Sequence, residues 1–164
     1  MTIRIDPDKR FFVGDELSPG GWYNSLKDTL NSKEIILFEQ HLETLRSQHN
    51  PKAVSRSGCV FSFDTHSAEN FLHALGRDKA ANHNVVELSY DPTTPVSEHN
   101  YSVISYFFQC LQNGGTLPLL LAEEDLMIQY WTGNAMTLYN SATGPLPYNA
   151  EILIGGPARV VSIR

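Results

Sequence analysis

Glu151-Ile152-Leu153-Ile154-Gly155-Gly156-Pro157-Ala158-Arg159-Val160-Val161-Ser162-Ile163 is two short apolar, β-branched runs around a glycine-glycine-proline turn. The pattern predicts two strands, 151–154 and 158–163, lying side by side and antiparallel across a hairpin-like turn. Such a pair does not suit a doubly wound parallel sheet, in which each strand returns through a helix. Upstream, helical and strand patterns alternate irregularly, so the chain reads as one α+β domain over residues 1–164.

Moving upstream, the apolar spacing supplies the other elements. Arg10-Phe11-Phe12-Val13-Gly14-Asp15 predicts a strand, and Ser18-Pro19-Gly20-Gly21 a turn after it. From Ser32, a natural cap, Ile35, Phe38, Leu42 and Leu45 recur every three or four residues up to Asn50-Pro51. Lys33, Glu34, Glu39, Glu43 and Arg46 are placed on the other faces of that helix. A strand over 58–64 leads into a short helix with Ala68, Phe71, Leu72 and Leu75, stopped by Gly76. Val85 to Tyr90 predicts a strand, and Tyr101 to Gln112 a helix ending before Gly114-Gly115. Leu119-Leu120-Leu121 fits either a helix opening or a buried strand, whereas Ile128 to Trp131 reads as strand. A loop rich in glycine, proline and asparagine then leads to Glu151.

Composition narrows the class of function. The chain has 164 residues, 41% of them apolar, enough to fill a single core. No apolar run approaches the roughly 20 residues that span a bilayer. The start, Met1-Thr2-Ile3-Arg4-Ile5-Asp6, lacks the apolar stretch of a secretory signal, so a cytoplasmic protein is expected unless another export route serves it. A formal charge of −6 without any basic run disfavours non-specific nucleic-acid binding, although Arg4, Lys9 and Arg10 lie close together and leave a nucleic-acid substrate open. Cys59 and Cys110 sit in apolar segments and are expected as buried reduced thiols.

Common catalytic plans do not fit. The histidines His41, His49, His66, His73, His83 and His99 show no metal-ligand spacing, and CxxC, HExxH, GxSxG, GxGxxG and phosphate-loop patterns do not occur. No metal is expected.

Three short motifs remain, and together they resemble the ADP-ribosyltransferase superfamily. The first is Phe11-Phe12-Val13-Gly14, an early strand entering a proline-glycine turn; in that superfamily this strand carries a His or Arg that binds NAD. Phe12 stands where the His is expected, and Arg10 is the nearest basic residue. The second, Gly58 through Phe71, is similar to the strand-turn-helix of the poly(ADP-ribose) polymerases. Aligned through Asp64, the nicotinamide-stacking tyrosine of that family falls on Phe61, whose ring suits a flat cation. An ordinary strand role for Phe61 and Phe63 fits equally well. Just upstream, Ser55 and Arg56 are candidates for the cofactor, Arg56 for its diphosphate, because a guanidinium matches phosphate bidentately. The third is Tyr148-Asn149-Ala150-Glu151-Ile152-Leu153-Ile154 with the turn after it, similar to the superfamily's closing segment with its catalytic Glu. A fixed carboxylate at Glu151 would stabilise the positive charge that develops on ribose as nicotinamide leaves.

The resemblance implies further roles. Asn149, two positions before that Glu, would touch the acceptor, together with Trp131, and Tyr130 would wall the nicotinamide. A plain core position also suits Trp131. The expected protein is an NAD-dependent ADP-ribosyltransferase of bacterial or phage type acting on a protein or nucleic-acid acceptor. Such an enzyme would serve as toxin, effector or defence component, with an antitoxin or inhibitor protein as a further partner and no membrane role. A non-catalytic module of the same fold is the alternative; a structural phage or assembly protein is a third.

Overall fold

The computed structural model describes residues 2–6, 9–27, 33–75, 83–115, 123–133, 138–140, 144–146 and 148–164. Ser32, Gly76 and Leu119 to Leu121, on which caps and elements were predicted, lie outside the described residues.

Seven strands form one antiparallel sheet: β1 (Thr2–Asp6), β2 (Glu16–Leu17), β3 (Val60–Phe63), β4 (Asn84–Tyr90), β5 (Val96–Asn100), β8 (Ala150–Ile154) and β9 (Ala158–Ile163). Their order is β2-β9-β4-β1-β3-β8-β5, and β6 (Leu138–Asn140) pairs with β7 (Gly144–Leu146) in a separate ribbon within the predicted loop. Five described helices accompany them: α1 (Gly21–Lys27), α2 (Lys33–His49), α3 (Thr65–Leu75), α4 (Tyr101–Gln112) and α5 (Glu124–Thr132). A 3-10 turn spans Arg56–Gly58. The architecture is α+β, as expected.

The closing strands form where predicted, yet they are not partners. β8 lies between β3 and β5, and β9 between β2 and β4. In a flat sheet four ladder spacings would separate them by about 19 Å, but the four Cα steps from Ile154 to Ala158 reach about 15 Å at most. The sheet therefore folds into two leaves, β2-β9-β4-β1 and β3-β8-β5. Their seam is narrow: β1 meets β3 at the single register pair Ile3↔Phe63, against five pairs with β4. Glycines at the crossing allow close contact. Gly155 donates its N–H to the Pro95 carbonyl, and a Cβ on Gly156 would come within 2.9 Å of the Thr94 methyl.

Strand alternation gives each leaf two faces. Val60 and Ile154 meet Leu17, Val86, Leu88, Ala158 and Val160 in a core between the leaves. On the outer face of β8, Leu153 joins a second core with Phe38, Leu42 and Leu45 of α2, Val103, Ile104 and Phe107 of α4, and Met127, Tyr130 and Trp131 of α5.

Three expected elements need correction. Residues 10–15 are not a strand: Gly14 adopts φ +99° and Asp15 accepts the Phe12 N–H at 2.8 Å, so the apolar run turns back on itself. The ladder resumes only at Glu16–Leu17, and the first strand is β1, whose alternation is cut short by Asp6. Ile128 to Trp131 is helical. Met127, Tyr130 and Trp131 bury one face at spacings of three and one, Glu124 and Asp125 favour the N-terminal end of the macrodipole, and Gly133 at φ +75° closes the helix by donating to the Gln129 carbonyl. Glu39 is not on an outer face of α2 but buried beside Phe38.

Candidate active site

A buried polar cluster lies beneath an aromatic cleft. Arg56, only 3% exposed, stands on the 3-10 turn between α2 and β3. Its Nε and Nη2 donate to the Glu39 carboxylate, Nε at 3.0 Å to Oε2 and Nη2 at 3.1 Å to Oε1. Its Nη1 donates to Glu151 Oε2 and, at 3.0 Å, to the Tyr130 hydroxyl. Tyr130 in turn donates to Glu151 Oε2 at 2.6 Å. Glu39 and Glu151 are themselves 3% and 2% exposed. The guanidinium plane is caged by rings, lying 4.7 Å from the Phe61 centroid and 5.7 Å from that of Trp22.

Two buried carboxylates thus share one guanidinium. With all three ionised the cluster carries one net negative charge. Burial works against the Arg56 charge, but Glu151 and then Glu39 hold its pKa well above the ordinary value. Burial pushes the Glu39 carboxyl above the usual range, against the pull of Arg56, because one guanidinium compensates only part of two anions. Buried Tyr130 is pushed up as well, so its hydroxyl remains a donor at neutral pH.

Above the cluster lies a cleft of about 270 Å³, mostly apolar. Glu151 reaches it from β8, Phe61 and Phe63 from β3, Trp22 from α1, Phe71 from α3, and Tyr101 and Phe108 from α4. Register explains the arrangement: Phe63 lies opposite Glu151, and Phe61 opposite Leu153, so these side chains share one face of their leaf. The rings meet at angles, Trp22 edge-on to Phe61 at 5.1 Å and Tyr101 edge-on to Phe63 at 5.3 Å. Burial and the neighbouring anions push the Tyr101 hydroxyl up to about 12. At the other leaf, Arg4 of β1 completes the lining, with Ile5 and His83. Its Nη1 donates to the Phe61 carbonyl at 3.4 Å, and burial, reinforced by Arg10, lowers its pKa.

The strand bearing Glu151 is fastened at its start. The Ala150 N–H donates to Ser67 Oγ at 2.7 Å, and the Tyr101 N–H to the Asn149 carbonyl at 2.8 Å. The Asn149 side chain donates to Ser102 Oγ at 3.1 Å and accepts from Asn70 at 3.3 Å. Asp64 caps α3 by accepting the Ser67 N–H at 2.6 Å.

Of the residues singled out in the sequence, Glu151, Arg56, Phe61 and Tyr130 come together. Arg56 borders the cleft, but its donors are turned to the two carboxylates and Tyr130, and Tyr130 lies under Glu151 rather than in the cleft wall. Asn149 has both ends of its amide engaged and does not line the cleft. Ser55 adjoins Arg56 but donates to Glu43 Oε2 at 2.9 Å. Trp131 is core, donating its indole N–H to the Leu42 carbonyl. Phe12 is 70% exposed on its turn, and Arg10 is a surface residue over Phe11, 3.9 Å from Asp6. Neither lines the cleft.

Arg4, Glu39, Trp22 and Tyr101 did not stand out in the sequence. Glu39 left a trace, since it falls four residues after Ile35 and three before Leu42, inside the apolar stripe. Cys59 is buried and Cys110 half-buried, both free. Although Arg56 and Arg4 lie near Cys59, burial outweighs them and raises the thiol far above its ordinary value.

His99, opposite Glu151 on β5, supports the cluster from behind. Its ring stacks on Tyr130 at 4.7 Å, and a carbonyl at 2.9 Å, that of Tyr130, accepts from Nδ1, so that nitrogen carries the proton and Nε2 accepts from Ser97. Burial lowers its pKa from 6.5. The native state therefore binds fewer protons than the unfolded chain, and stability contributed by neutral His99 is lost as pH falls below about 6.5. Melting temperature should drop between pH 7.5 and 5.5, and the drop should shrink in His99→Gln. An equal drop in both proteins would contradict this assignment.

The molecule is thus an α+β protein with a two-leaved antiparallel sheet and a carboxylate-bearing aromatic cleft where the leaves meet. Among the described residues no three His, Cys, Asp or Glu side chains are grouped to hold a metal, and no helix is long and apolar enough to cross a membrane. No protein-family model matches the chain, and no curated protein matches it in sequence.

Proposed function

We propose that the protein is an ADP-ribosyltransferase that binds NAD in the aromatic cleft and transfers ADP-ribose to a macromolecular acceptor. One observation carries the reading: Glu151 of β8 and Arg4 of β1, from opposite leaves, line one aromatic cleft. Nicotinamide, a flat cation in NAD, stacks against Phe61 and Trp22. The diphosphate meets Arg4, which takes the role that the sequence suggested for Arg10 and Arg56. Arg56 instead fixes the carboxylate.

The glycosidic C–N bond then breaks with its electron pair passing to nicotinamide, which leaves neutral. Positive charge appears on the ribose beside Glu151, whose anion stabilises it. An acceptor nucleophile bonds to the ribose carbon and gives up its proton to solvent water. The positive charge moves from ring to ribose, and Glu151, the carboxylate of the cluster that lines the cleft, favours its arrival there.

Arg4→Ala should raise the Kd for NAD roughly tenfold to a hundredfold, the worth of a charged hydrogen bond. Affinity for nicotinamide alone should stay nearly constant. Equal losses for both ligands would remove Arg4 from the diphosphate.

The acceptor, protein or nucleic acid, is addressed by incubating cell extract with NAD labelled in its adenylate half. Label in the protein, RNA or DNA fraction, with stoichiometric nicotinamide release, supports the reading and names the acceptor class. Release without labelling points to NAD hydrolysis, and no release refutes the enzyme. A role as toxin, effector or defence component, restrained by an antitoxin or inhibitor protein, suits such an activity.

A second reading rests on the clamped state of Glu151, held by Arg56 and Tyr130 and almost wholly buried. A non-catalytic module of this fold would keep that clamp for stability. It would show no nicotinamide release, and no melting shift at millimolar NAD if binding is lost too.

A further inference from the structure

Glu39 takes no part in the cleft lining, yet it takes two donors of Arg56. We propose that Glu39 tunes the charge of the cleft: by sharing Arg56 with Glu151 it keeps the cluster net negative and so raises the preference of the cleft for a cationic planar ring over a neutral one. The inference rests on the reading above in one respect, the placing of a nicotinamide ring in this cleft.

Charge counting carries the argument. An Arg56–Glu151 pair alone would be neutral, and its field at the cleft would be that of a dipole, which falls off quickly. Adding Glu39 on the far side of the guanidinium supplies a second anion and leaves a monopole, whose field persists across a low-dielectric wall. Arg4, in the lining of the same cleft, opposes this field, and the other charges nearby stay the same when Glu39 is changed. Glu43 on the next turn of α2 is occupied by Arg46 at 2.8 Å and by Ser55. Neutral His99 lies behind Tyr130, and Cys59 is held as the thiol. Arg4, at the seam of the leaves, is constant in every comparison below. Shape also argues for ionised Glu39, because both of its oxygens accept from Arg56.

The test compares two ligands of nearly equal shape, 1-methylnicotinamide, a cation, and nicotinamide, which is neutral. Binding is followed at pH 8 by quenching of tryptophan fluorescence, since Trp22 lines the cleft. Removing one unit charge near the ring should lower the cation-to-neutral affinity ratio by roughly tenfold in Glu39→Gln. The double variant Glu39→Gln with Arg56→Gln restores one net negative charge and should return the ratio to within about threefold of wild type, a rescue that a purely structural role of Glu39 does not give.

A folded Glu39→Gln protein with the wild-type ratio overturns the proposal, as does failure of either protein to bind both probes at millimolar concentration. If Glu39→Gln does not fold, the double variant decides: a kept ratio supports the proposal and a lost one overturns it. Turnover of NAD is read separately. A protein that releases no nicotinamide from NAD but shows the Glu39-dependent ratio refutes the transferase and leaves this inference standing. Turnover with an insensitive ratio does the reverse.

Discussion

Glu151→Gln is expected to slow nicotinamide release from NAD by about a hundredfold to a thousandfold, the cost of removing one preorganised group that meets transition-state charge. The effect should fall on kcat more than on KM, because the positive charge on ribose grows only as the bond breaks. The substitution keeps volume and leaves an amide oxygen able to accept from Tyr130 and Arg56, which now touch Glu151 Oε2. The protein should therefore remain folded. Nicotinamide release under saturating NAD, beside a melting curve for each protein, gives the answer. A folded Gln variant with wild-type kcat would remove Glu151 from the chemistry.

The largest stability loss is expected from Arg56→Ala. That change leaves Glu39 and Glu151 buried together with no counter-charge, and breaking a single buried pair already costs about 3–5 kcal/mol. Against a total stability of about 5–15 kcal/mol, such a variant should be partly unfolded at 37 °C. Direction with pH adds a sharper test. Burial already raises the Glu39 carboxyl against the pull of Arg56, so without the guanidinium it is raised further and the native state binds more protons there than the unfolded chain. Stability of the variant should rise as pH falls from 8 to 5, in contrast to the loss expected from His99 in the parent. Urea melts across that range measure both. A midpoint within about 0.3 M urea of the parent at pH 8 would mean that the cluster contributes little.

Period alone made several elements legible. Ile104, Phe107 and Leu111 recur as a helix requires, and α4 runs from Tyr101 to Gln112. Phe38, Leu42 and Leu45 mark α2, and Gly58 to Phe71 reads directly into β3 and α3. Short segments were harder. Thr2–Asp6 is too brief and too polar for its alternation to declare itself, and Val96–Asn100 carries Ser97, Glu98 and His99 on an edge strand. Ile128 to Trp131 fits either period in four residues, and only Gly133 with Glu124 and Asp125 settles it.

The site divides in the same way. Glu151 stood out because its strand and the turn after it resemble the closing segment of the ADP-ribosyltransferase superfamily, and Arg56 because it precedes the strand carrying Phe61. Arg4 did not stand out: nothing in Thr2-Ile3-Arg4-Ile5-Asp6 says that β1 will lie at the seam, and Phe12 in its louder aromatic run drew the first-strand role instead. Phe12 turned out exposed because Gly14 bends the run away.

The sequence by itself determined the α+β composition, most helices and the two closing strands, since these follow from local periods and turn residues that act within a few positions. Tertiary structure alone decided that the closing strands take different neighbours, that Glu39 is buried against Arg56, and that Arg4 faces the same cleft as Glu151. Those outcomes depend on which strand edges meet across the folded sheet. Pairing of that kind joins residues 57 or 95 positions apart, as in Arg4 with Phe61 and Arg56 with Glu151, and no local pattern encodes it.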